Sequence, residues 1–254
     1  MILIDTHAHL DFSDFDNDRD DILKRAKAEG LEAIINVSSS LEGCKRSLDL
    51  ASRYENIYAT IGIHPHDIKE LDNERFSFVQ GLLKSKKVVA IGEVGLDFYR
   101  NLSPQDLQKE YFIKFIGLSG QSGLPLVIHS RSAEDDTLKI LKAAPSALQG
   151  VVHCFSGSKG FLDACLALGL YISFTCNITY KKSEDLRDLV RYVPIDRVLL
   201  ETDCPYLSPE GSRGKRNEPA NVKILAEFIA GLRNCSIEEV AQRTTENAKR
   251  LFKI

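Results

Sequence analysis

The stretch Ile2-Leu3-Ile4-Asp5-Thr6-His7-Ala8-His9 shows the pattern on which the fold prediction rests, a short apolar run that ends in metal-binding side chains. His7 and His9 stand two positions apart, so on an extended strand both side chains point to the same side. The same pattern returns at residues 61–66, 88–93, 125–129, 151–153 and 198–203. All six histidines lie at the ends of such runs, which is typical of a divalent-metal site built from strand ends.

The apolar runs alternate with segments of helical periodicity along the whole chain. The pattern predicts strands at residues 2–6, 33–37, 57–63, 88–92, 126–128, 150–153, 171–174 and 198–201. It predicts helices at residues 20–29, 41–54, 74–85, 104–119, 160–168, 184–192 and 220–231, and two more that begin at Ser132 and Ser236. Both serines stand three residues before an acid, as in a capping box, and Ser103 is a third candidate cap. Eight strand–helix repeats match a (β/α)8 TIM barrel, an α/β fold, in a single domain spanning residues 1–254.

The alternative fold is an open, doubly wound sheet. Its dinucleotide-binding fingerprint, GxGxxG, is absent from the sequence. Candidate catalytic residues at the carboxyl ends of many different strands are typical of the barrel instead.

Six side chains at these strand ends are candidate metal ligands: His7, His9, Glu93, His129, His153 and Asp203. Buried acids and imidazoles that converge without a metal would carry a large desolvation cost, which favours the metal interpretation. Six ligands are too many for one tetrahedral ion with an open position, but they suit two ions that share a bridging carboxylate. We expect Glu93 to bridge, with His7, His9 and Asp203 on one ion and His129 and His153 on the other. Zinc, manganese and magnesium are all candidates.

Three of the polar side chains at strand ends are candidates for catalysis. Asp203 and Glu201 stand two positions apart on one face, so one could bind metal while the other moves a proton. Glu201 could equally orient a ligand. We expect His64 at the rim of the site as a donor to the substrate, and His66 in a structural hydrogen bond.

Positive and aromatic side chains after the strands favour a phosphate substrate. Arg131 lies two residues after His129, and the loop after the eighth strand carries Arg213, Lys215 and Arg216. Barrels often bind phosphate at that loop. The aromatic side chains that could stack on bases are Phe98, Tyr99, Phe155 and Tyr206.

Composition indicates which classes of protein this chain could belong to. A formal net charge of -3 lacks the basic footprint of a protein that coats duplex DNA. Six cysteines without a CxxC pair favour reduced thiols in a cytoplasmic protein. The first residues read as a strand rather than a signal peptide, and no apolar run is long enough to span a membrane. We therefore expect a cytoplasmic monomer without a protein partner.

Eight sequence blocks that cover almost the whole chain identify a family. They are DTHAHLD at 5–11, GIHPH at 62–66, GEVGLDFYR at 92–100, IHSR at 128–131, HCFSG at 153–157, ETDCPYL at 201–207, RNEPA at 216–220 and NAKRLF at 247–252. Together they resemble the TatD family of metal-dependent deoxyribonucleases, within the wider amidohydrolase group. The resemblance implies a distorted TIM barrel that binds two divalent ions through the six ligands above. It also implies hydrolysis of DNA phosphodiester bonds as a 3′–5′ exonuclease.

Other functions stay open beside this hypothesis. The acidic net charge favours single strands or frayed ends of DNA over an intact duplex. A hydrolase of a small phosphorylated metabolite, an amide or an ester could use the same metal pair, and Arg131 would serve a phosphorylated metabolite as well. A catalytically silent binding module is disfavoured because every expected ligand is present in the sequence.

Overall fold

The computed structural model describes residues 1–144 and 148–254. Its strands are β1 (Leu3–Ala8), β2 (Leu31–Asn36), β3 (Ile57–Ile61), β4 (Val88–Asp97), β5 (Leu126–Arg131), β6 (Gly150–Val152), β7 (Tyr171–Phe174) and β8 (Val198–Leu200). Its α-helices are α1 (Arg19–Ala28), α2 (Leu41–Arg53), α3 (Asn73–Leu82), α4 (Gln105–Ser122), α5 (Glu134–Lys142), α6 (Lys159–Ala167), α7 (Glu184–Tyr192), α8 (Val222–Arg233) and α9 (Ile237–Phe252). The strands follow the chain order β1 to β8 in the sheet. This alternation and order are those of the predicted (β/α)8 TIM barrel.

The described residues form two compact units. Unit 1 consists of Met1–Asn36 and Ile172–Ile254, and unit 2 consists of Val37–Tyr171. In unit 1, β1 pairs with β2 and β7 pairs with β8, both in parallel, and Ala8 forms a parallel bridge with Cys204. In unit 2, β3, β4, β5 and β6 pair in that order, again in parallel. The expectation of a single domain over residues 1–254 stays a prediction.

In unit 1, α9 packs on β1 and β8 and fixes the amino ends of both strands. The side-chain amide of Asn247 donates to the carbonyls of Ile195 and Val198, at 2.8 and 2.9 Å. The hydroxyl of Thr245 donates to the carbonyl of Ile2 at 3.0 Å. Because the amino ends of both strands are tied to one helix, their carboxyl ends, which carry candidate ligands, have a defined position.

In unit 2, glycine sets the spacing between β4 and β5. Gly95 pairs with His129 and has a φ of +143°. A Cβ at Gly95 would lie 2.0 Å from the carbonyl oxygen of His129. Any larger residue would therefore push β4 away from β5, and glycine allows the close approach that the two strands show.

Two strands of unit 2 run further than the sequence predicts. β4 continues past Gly92 to Asp97, because Val94 and Leu96 are fully buried and the glycines permit tight pairing with β5. β5 continues past Ile128 to Arg131 in register with it. The extension places polar side chains of both strands beyond the predicted strand ends.

Of the three serines predicted to cap helices, the structure confirms one. The Ser236 hydroxyl accepts the N–H of Glu239 at 3.1 Å, which confirms that cap. The prediction for Ser132 is wrong: Ser132 has a φ of +52°, whereas a cap residue needs extended backbone, and α5 begins at Glu134. Ser103 does not cap α4 either: the residue that precedes this helix is Pro104, and the Ser103 hydroxyl donates to the carbonyl of His66 at 2.7 Å.

Two further predictions concern the thiols and membrane spans. All six cysteines are free thiols. Cys204 is fully buried, and burial raises the pKa of its thiol well above the usual range. Within the described part of the chain, no helix has both the length and the hydropathy that crossing a bilayer requires.

Candidate metal centre

Unit 1 carries one group of candidate ligands, the His7 group, which consists of His7, His9 and Asp203. The Nε2 atoms of His7 and His9 lie 3.2 Å apart. Oδ1 of Asp203 lies 3.7 Å from the first and 3.4 Å from the second. Ligand atoms about 2.1 Å from a tetrahedral zinc ion lie about 3.4 Å from one another. The spacing of the His7 group therefore fits one divalent ion.

Backbone hydrogen bonds hold this group together. The N–H of Asp203 donates to the carbonyl of His7, and the N–H of His9 donates to the carbonyl of Cys204, both at 2.9 Å. Asp203 has a left-handed backbone with φ of +54°, which a short polar residue tolerates. These bonds lock the end of β1 to the residues that follow β8.

Glu201 does not share the strand geometry predicted for it and Asp203. β8 ends at Leu200, and the left-handed conformation of Asp203 breaks the two-residue alternation that suggested a common face. Glu201 is fully buried, and its carboxylate accepts the hydroxyl of Ser173 at 2.7 Å. A catalytic role for Glu201 stays a prediction.

A buried acid behind the His7 group was not singled out by the sequence. Asp5 is fully buried, and its carboxyl group accepts the N–H and the hydroxyl of Thr202, at 3.0 and 2.6 Å. It also accepts the N–H of His7 at 3.2 Å. Burial raises the pKa of Asp5 to about 8, although the bonds from Thr202 oppose the rise. Asp5 thus links β1 to the residue before Asp203.

Unit 2 carries the second group, the Glu93 group, which consists of Glu93, His129 and His153. Oε1 of Glu93 lies 2.7 Å from Nδ1 of His129 and 2.6 Å from Nε2 of His153. These two nitrogens lie 3.1 Å apart. Neighbouring ligand atoms about 2.1 Å from an octahedral ion lie about 3.0 Å apart. The Glu93 group also fits one divalent ion.

The electrostatics of the Glu93 group favour a charged carboxylate. Burial alone would raise the pKa of Glu93, yet the surrounding imidazoles, with His153 and His64 first, hold it well below its usual range. Burial would lower the pKa of His129, but its bonds to Asp97 and Glu93 raise it above the usual range. The carboxylate and the imidazoles therefore stabilise one another.

His64 lies beside this group. Its Nε2 lies 3.5 Å from Oε1 of Glu93, and its side chain is mostly buried. Burial lowers the pKa of His64 to about 3, so the imidazole is neutral. Nδ1 of His64 accepts the backbone N–H of His66 at 3.1 Å, which leaves the proton of the neutral ring on Nε2. This tautomer suits the predicted donor role, which stays a prediction.

Asp97 is a functional candidate that the sequence reasoning missed. Its Oδ2 lies 3.1 Å from Nε2 of His129 and 3.0 Å from Nε2 of His66, and Oδ1 accepts the N–H of Arg100 at 2.8 Å. Burial would raise the pKa of Asp97, but the bond from His129 and the Arg100 N–H hold it well below its usual range. When His129 donates from Nε2 to Asp97, its Nδ1 lone pair faces Glu93 and is available to a metal. Asp97 stands four positions after Glu93 on one strand, and this even spacing was the available signal.

The predicted phosphate ligands lie on the surface in both units. In unit 2, the guanidinium of Arg131 lies 4.1 Å above the centre of the Tyr99 ring. In unit 1, Arg213 lies 4.4 Å from the centre of the Tyr180 ring, and Lys215 is exposed. The remaining cation, Arg216, pairs with Asp18 at 2.5 Å.

Among the aromatic candidates, exposure separates those that could reach a base. Phe155 is buried and stacks on Phe161, so the predicted stacking on bases is wrong for Phe155. Phe98 is partly buried. Tyr99 and Tyr206 are 65% and 54% exposed, which leaves their rings open to a ligand.

Comparisons with known proteins identify the family of this chain. The family model of the TatD related DNases matches residues 4–253. The uncharacterized metal-dependent hydrolase YabD of Bacillus subtilis is 43% identical over 254 residues, with full coverage of both chains. A protein of Erwinia amylovora named 3′-5′ ssDNA/RNA exonuclease TatD is 36% identical and covers 98% of this chain and 99% of its own length.

A solved structure gives the same fold. The crystal structure of YjjV, a TatD homologue from Escherichia coli K12, aligns with a TM-score of 0.94 and 32% identity. The alignment covers 99% of this chain and 98% of that one. The predicted (β/α)8 TIM barrel is confirmed, and the chain is a metal-dependent hydrolase that belongs to the TatD related DNase family.

Proposed function

We propose that this hydrolase removes nucleotides from the 3′ end of single-stranded or frayed DNA, with one divalent ion in the His7 group and one in the Glu93 group. One observation carries the proposal: each group by itself offers ligand atoms at the spacing of a metal shell. The name of the Erwinia amylovora relative, an exonuclease on single-stranded DNA and RNA, supports the substrate class.

The ligands divide between the two groups. His7, His9 and Asp203 would hold one ion, while Glu93, His129 and His153 would hold the other. Zinc, manganese and magnesium all accept such ligands, and their availability decides as much as their affinity. A bound divalent ion supplies a lowered pKa for water and neutralises charge on phosphate oxygens. The bridging role of Glu93 stays a prediction.

Three side chains would handle protons. Asp203 is the candidate acceptor for the proton of the attacking water, because its side chain is 15% exposed while Glu201 is fully buried. Glu201 would act through neighbouring groups such as Ser173, to which it is bonded. His64 would donate from Nε2 to an oxygen of the substrate phosphate, as its neutral tautomer allows.

Exposed cations would bind the phosphates of the strand. Arg131 lies two residues after His129 and is held over Tyr99, so its guanidinium has a defined place. Arg213 and Lys215 are exposed and complete the proposed set. Arg216 is a weaker member, since Asp18 already pairs with it.

We propose a cytoplasmic monomer as the working form. Six free thiols suit a reducing compartment. The formal net charge of -3 restricts long-range attraction to duplex DNA, which suits a substrate of single strands or ends.

The test follows a 5′-labelled single-stranded oligonucleotide on a denaturing gel over time. Metal-stripped protein is supplied with magnesium, manganese or zinc in separate reactions. We expect a metal-dependent ladder that shortens from the 3′ end. His129→Ala and Asp203→Asn should each abolish the ladder while circular dichroism shows a retained fold.

The matched control is Asp196→Asn, which changes an exposed acid in unit 1. It should cleave like the wild-type protein. Turnover that persists in both His129→Ala and Asp203→Asn would overturn the site assignment. If metal binds but no DNA is cleaved with any ion, the substrate class is wrong, and a small phosphorylated metabolite becomes the leading candidate.

A further inference from the structure

Three aromatic rings in unit 1 lead from a candidate metal ligand to the surface. The imidazole of His9 stacks on the Phe12 ring, with centroids 4.7 Å apart and planes inclined by 16°. The Phe12 ring meets the Tyr206 ring edge to face, with centroids 6.3 Å apart and planes inclined by 76°. The series thus begins at the His7 group and ends at a tyrosine that is 54% exposed.

The position of Tyr206 is tied to that of Asp203. The N–H of Tyr206 donates to the carbonyl of Asp203 at 3.0 Å. The backbone N–H of Asn217, which is fully buried, donates to the carbonyl of Pro205 at 2.9 Å. The side chain of Asn217 also donates to the carbonyl of Thr202 at 3.0 Å. The loop is therefore fastened on both sides of Asp203, and the backbone that carries the Tyr206 ring has a defined position beside that ligand.

Exposure of one aromatic ring is common and carries no function by itself. Tyr192 at the end of α7 is 51% exposed, nearly as much as Tyr206. What distinguishes Tyr206 is its contact, through Phe12, with His9 and its bond to the backbone of Asp203. A large, rigid apolar face next to a metal-binding group suits a flat apolar ligand better than it suits a phosphate or a sugar.

We propose that Phe12 and Tyr206 form a nucleobase subsite, in which the base of the nucleotide at the 3′ end stacks on the Tyr206 ring. Phe12 supports that ring from the side of His9. Stacking tolerates any sequence because every base has a π-face, so the subsite would position the terminal nucleotide without selecting one base. The inference rests on the proposed function, and it names the part of the substrate that lies beside the His7 group.

The experiment compares two oligonucleotides of the same length, one ordinary and one that lacks the base of its 3′-terminal nucleotide. Tyr206→Ala should raise KM for the ordinary strand between about 5-fold and 150-fold, the range that loss of one stacked base gives. KM for the abasic strand should be unchanged, because no base is present to stack. Tyr206→Phe should keep the wild-type KM for both strands, since the ring remains.

Tyr192→Ala serves as the matched control and should change neither KM. The metal content of Tyr206→Ala should equal that of the wild-type protein. An equal loss on both strands would show that Tyr206 only holds the loop of Asp203, and an unchanged KM on both would show that no base stacks there. A loss in Tyr206→Phe as large as in Tyr206→Ala would assign the effect to the hydroxyl. Each of these results overturns the proposal.

A binding measurement separates this inference from the proposed function. The probes are thymidine 5′-monophosphate and deoxyribose 5-phosphate, titrated calorimetrically into the metal-loaded protein. Wild-type protein should prefer the nucleotide, and Tyr206→Ala should lose that preference. If the preference is found in a protein that cleaves no DNA, the subsite stands and the exonuclease proposal fails. If DNA is cleaved without such a preference, the subsite fails and the exonuclease proposal stands.

Discussion

In the His7 group, the carboxylate of Asp203 lies 3.4 and 3.7 Å from the two imidazoles and is 15% exposed. In the Glu93 group, the carboxylate lies 2.6 and 2.7 Å from its two imidazoles and is 4% exposed. The first group is fastened by backbone bonds between β1 and the residues after β8. The second is fastened by side chains, with Asp97 behind His129.

If each group binds one ion, as we propose, this difference would give two kinds of metal site made from the same ligand types. The Glu93 group is preorganised, because its ligands already lie close together and the ring of His129 is fixed by a further carboxylate, that of Asp97. The His7 group is looser and open to solvent on the side of Asp203, so it can change its shell when substrate arrives. We expect the Glu93 group to bind its ion more tightly and the His7 group to exchange its ion faster.

The largest effect on metal content and on kcat should come from removing the charge of Glu93, at the centre of the more closely spaced Glu93 group. Glu93→Gln keeps the shape of the side chain but takes away the carboxylate of the Glu93 group. We expect loss of one bound ion per chain and a fall in kcat of more than about 100-fold, beyond what loss of an outer partner gives. Metal content by mass spectrometry and initial rates on single-stranded DNA measure both effects.

Asp203→Asn is the comparison within the looser group, and Glu74→Gln is the control at an exposed acid of unit 2. Asp203→Asn should retain the ion of the Glu93 group. Retention of two ions by Glu93→Gln would contradict the view that the buried carboxylate defines the tighter site.

A smaller effect on metal affinity should come from a change beside the Glu93 group that leaves its three ligands in place. Asp97→Asn places an amide beside Nε2 of His129, so the acceptor that fixes the ring is weakened. We expect about 10- to 100-fold weaker metal binding, the usual range for such partners. Rates at saturating metal should recover most of the wild-type value, because all ligands are still present.

The control is Asp106→Asn, a fully exposed acid on α4. Titration of the metal-stripped proteins with manganese, followed by activity, gives the comparison. Equal manganese affinity for Asp97→Asn and the wild-type protein would mean that Asp97 has no part in organising the Glu93 group.

Sequence patterns were sufficient to predict the fold, because each strand and helix is specified by residues that are close together in the chain. Apolar runs and helical periodicity predict the order of elements, and the capping box at Ser236 was found correctly. Ser132 was misjudged because the sequence motif does not report the sign of φ at the cap. The predicted end of β4 is too early because glycine usually weakens a strand, whereas Gly92 and Gly95 permit close pairing with β5.

The candidate site was predictable where residue type alone carries the chemistry. Imidazoles at strand ends indicate metal ligands without any knowledge of distance. The sequence does not reveal Asp97 and Asp5 as candidates, because their importance depends on the residues that they contact. Asp97 contacts His129, and Asp5 contacts Thr202. Such contacts join residues far apart in the chain, and a single sequence does not give them.

The smallest effect that we expect is a change in the pH dependence of stability when Asp5, the buried acid behind the His7 group, is replaced. Asp5→Asn replaces a buried carboxyl by an amide of the same shape, which can keep the bonds to Thr202 and His7. The folded pKa of Asp5 is about 8, against 3.8 for the free side chain. Between these values the folded protein binds more protons at Asp5 than the unfolded chain does, so the contribution of Asp5 to stability falls as pH rises. In metal-free protein the slope is at most about 1.4 kcal/mol per pH unit.

Asp5→Asn lacks this titration, so its stability relative to the wild-type protein should increase from pH 5 to pH 8. Urea unfolding of both metal-stripped proteins across that range measures the difference, with Asp196→Asn as the control. Other groups, including His64, contribute to each curve, but they cancel in the difference between variant and wild type. A difference that is flat with pH would mean that Asp5 is ionised throughout, and that the bonds from Thr202 and His7 outweigh its burial. Asp5 would then add a second negative charge beside the His7 group, and the two groups would differ less than their geometry indicates.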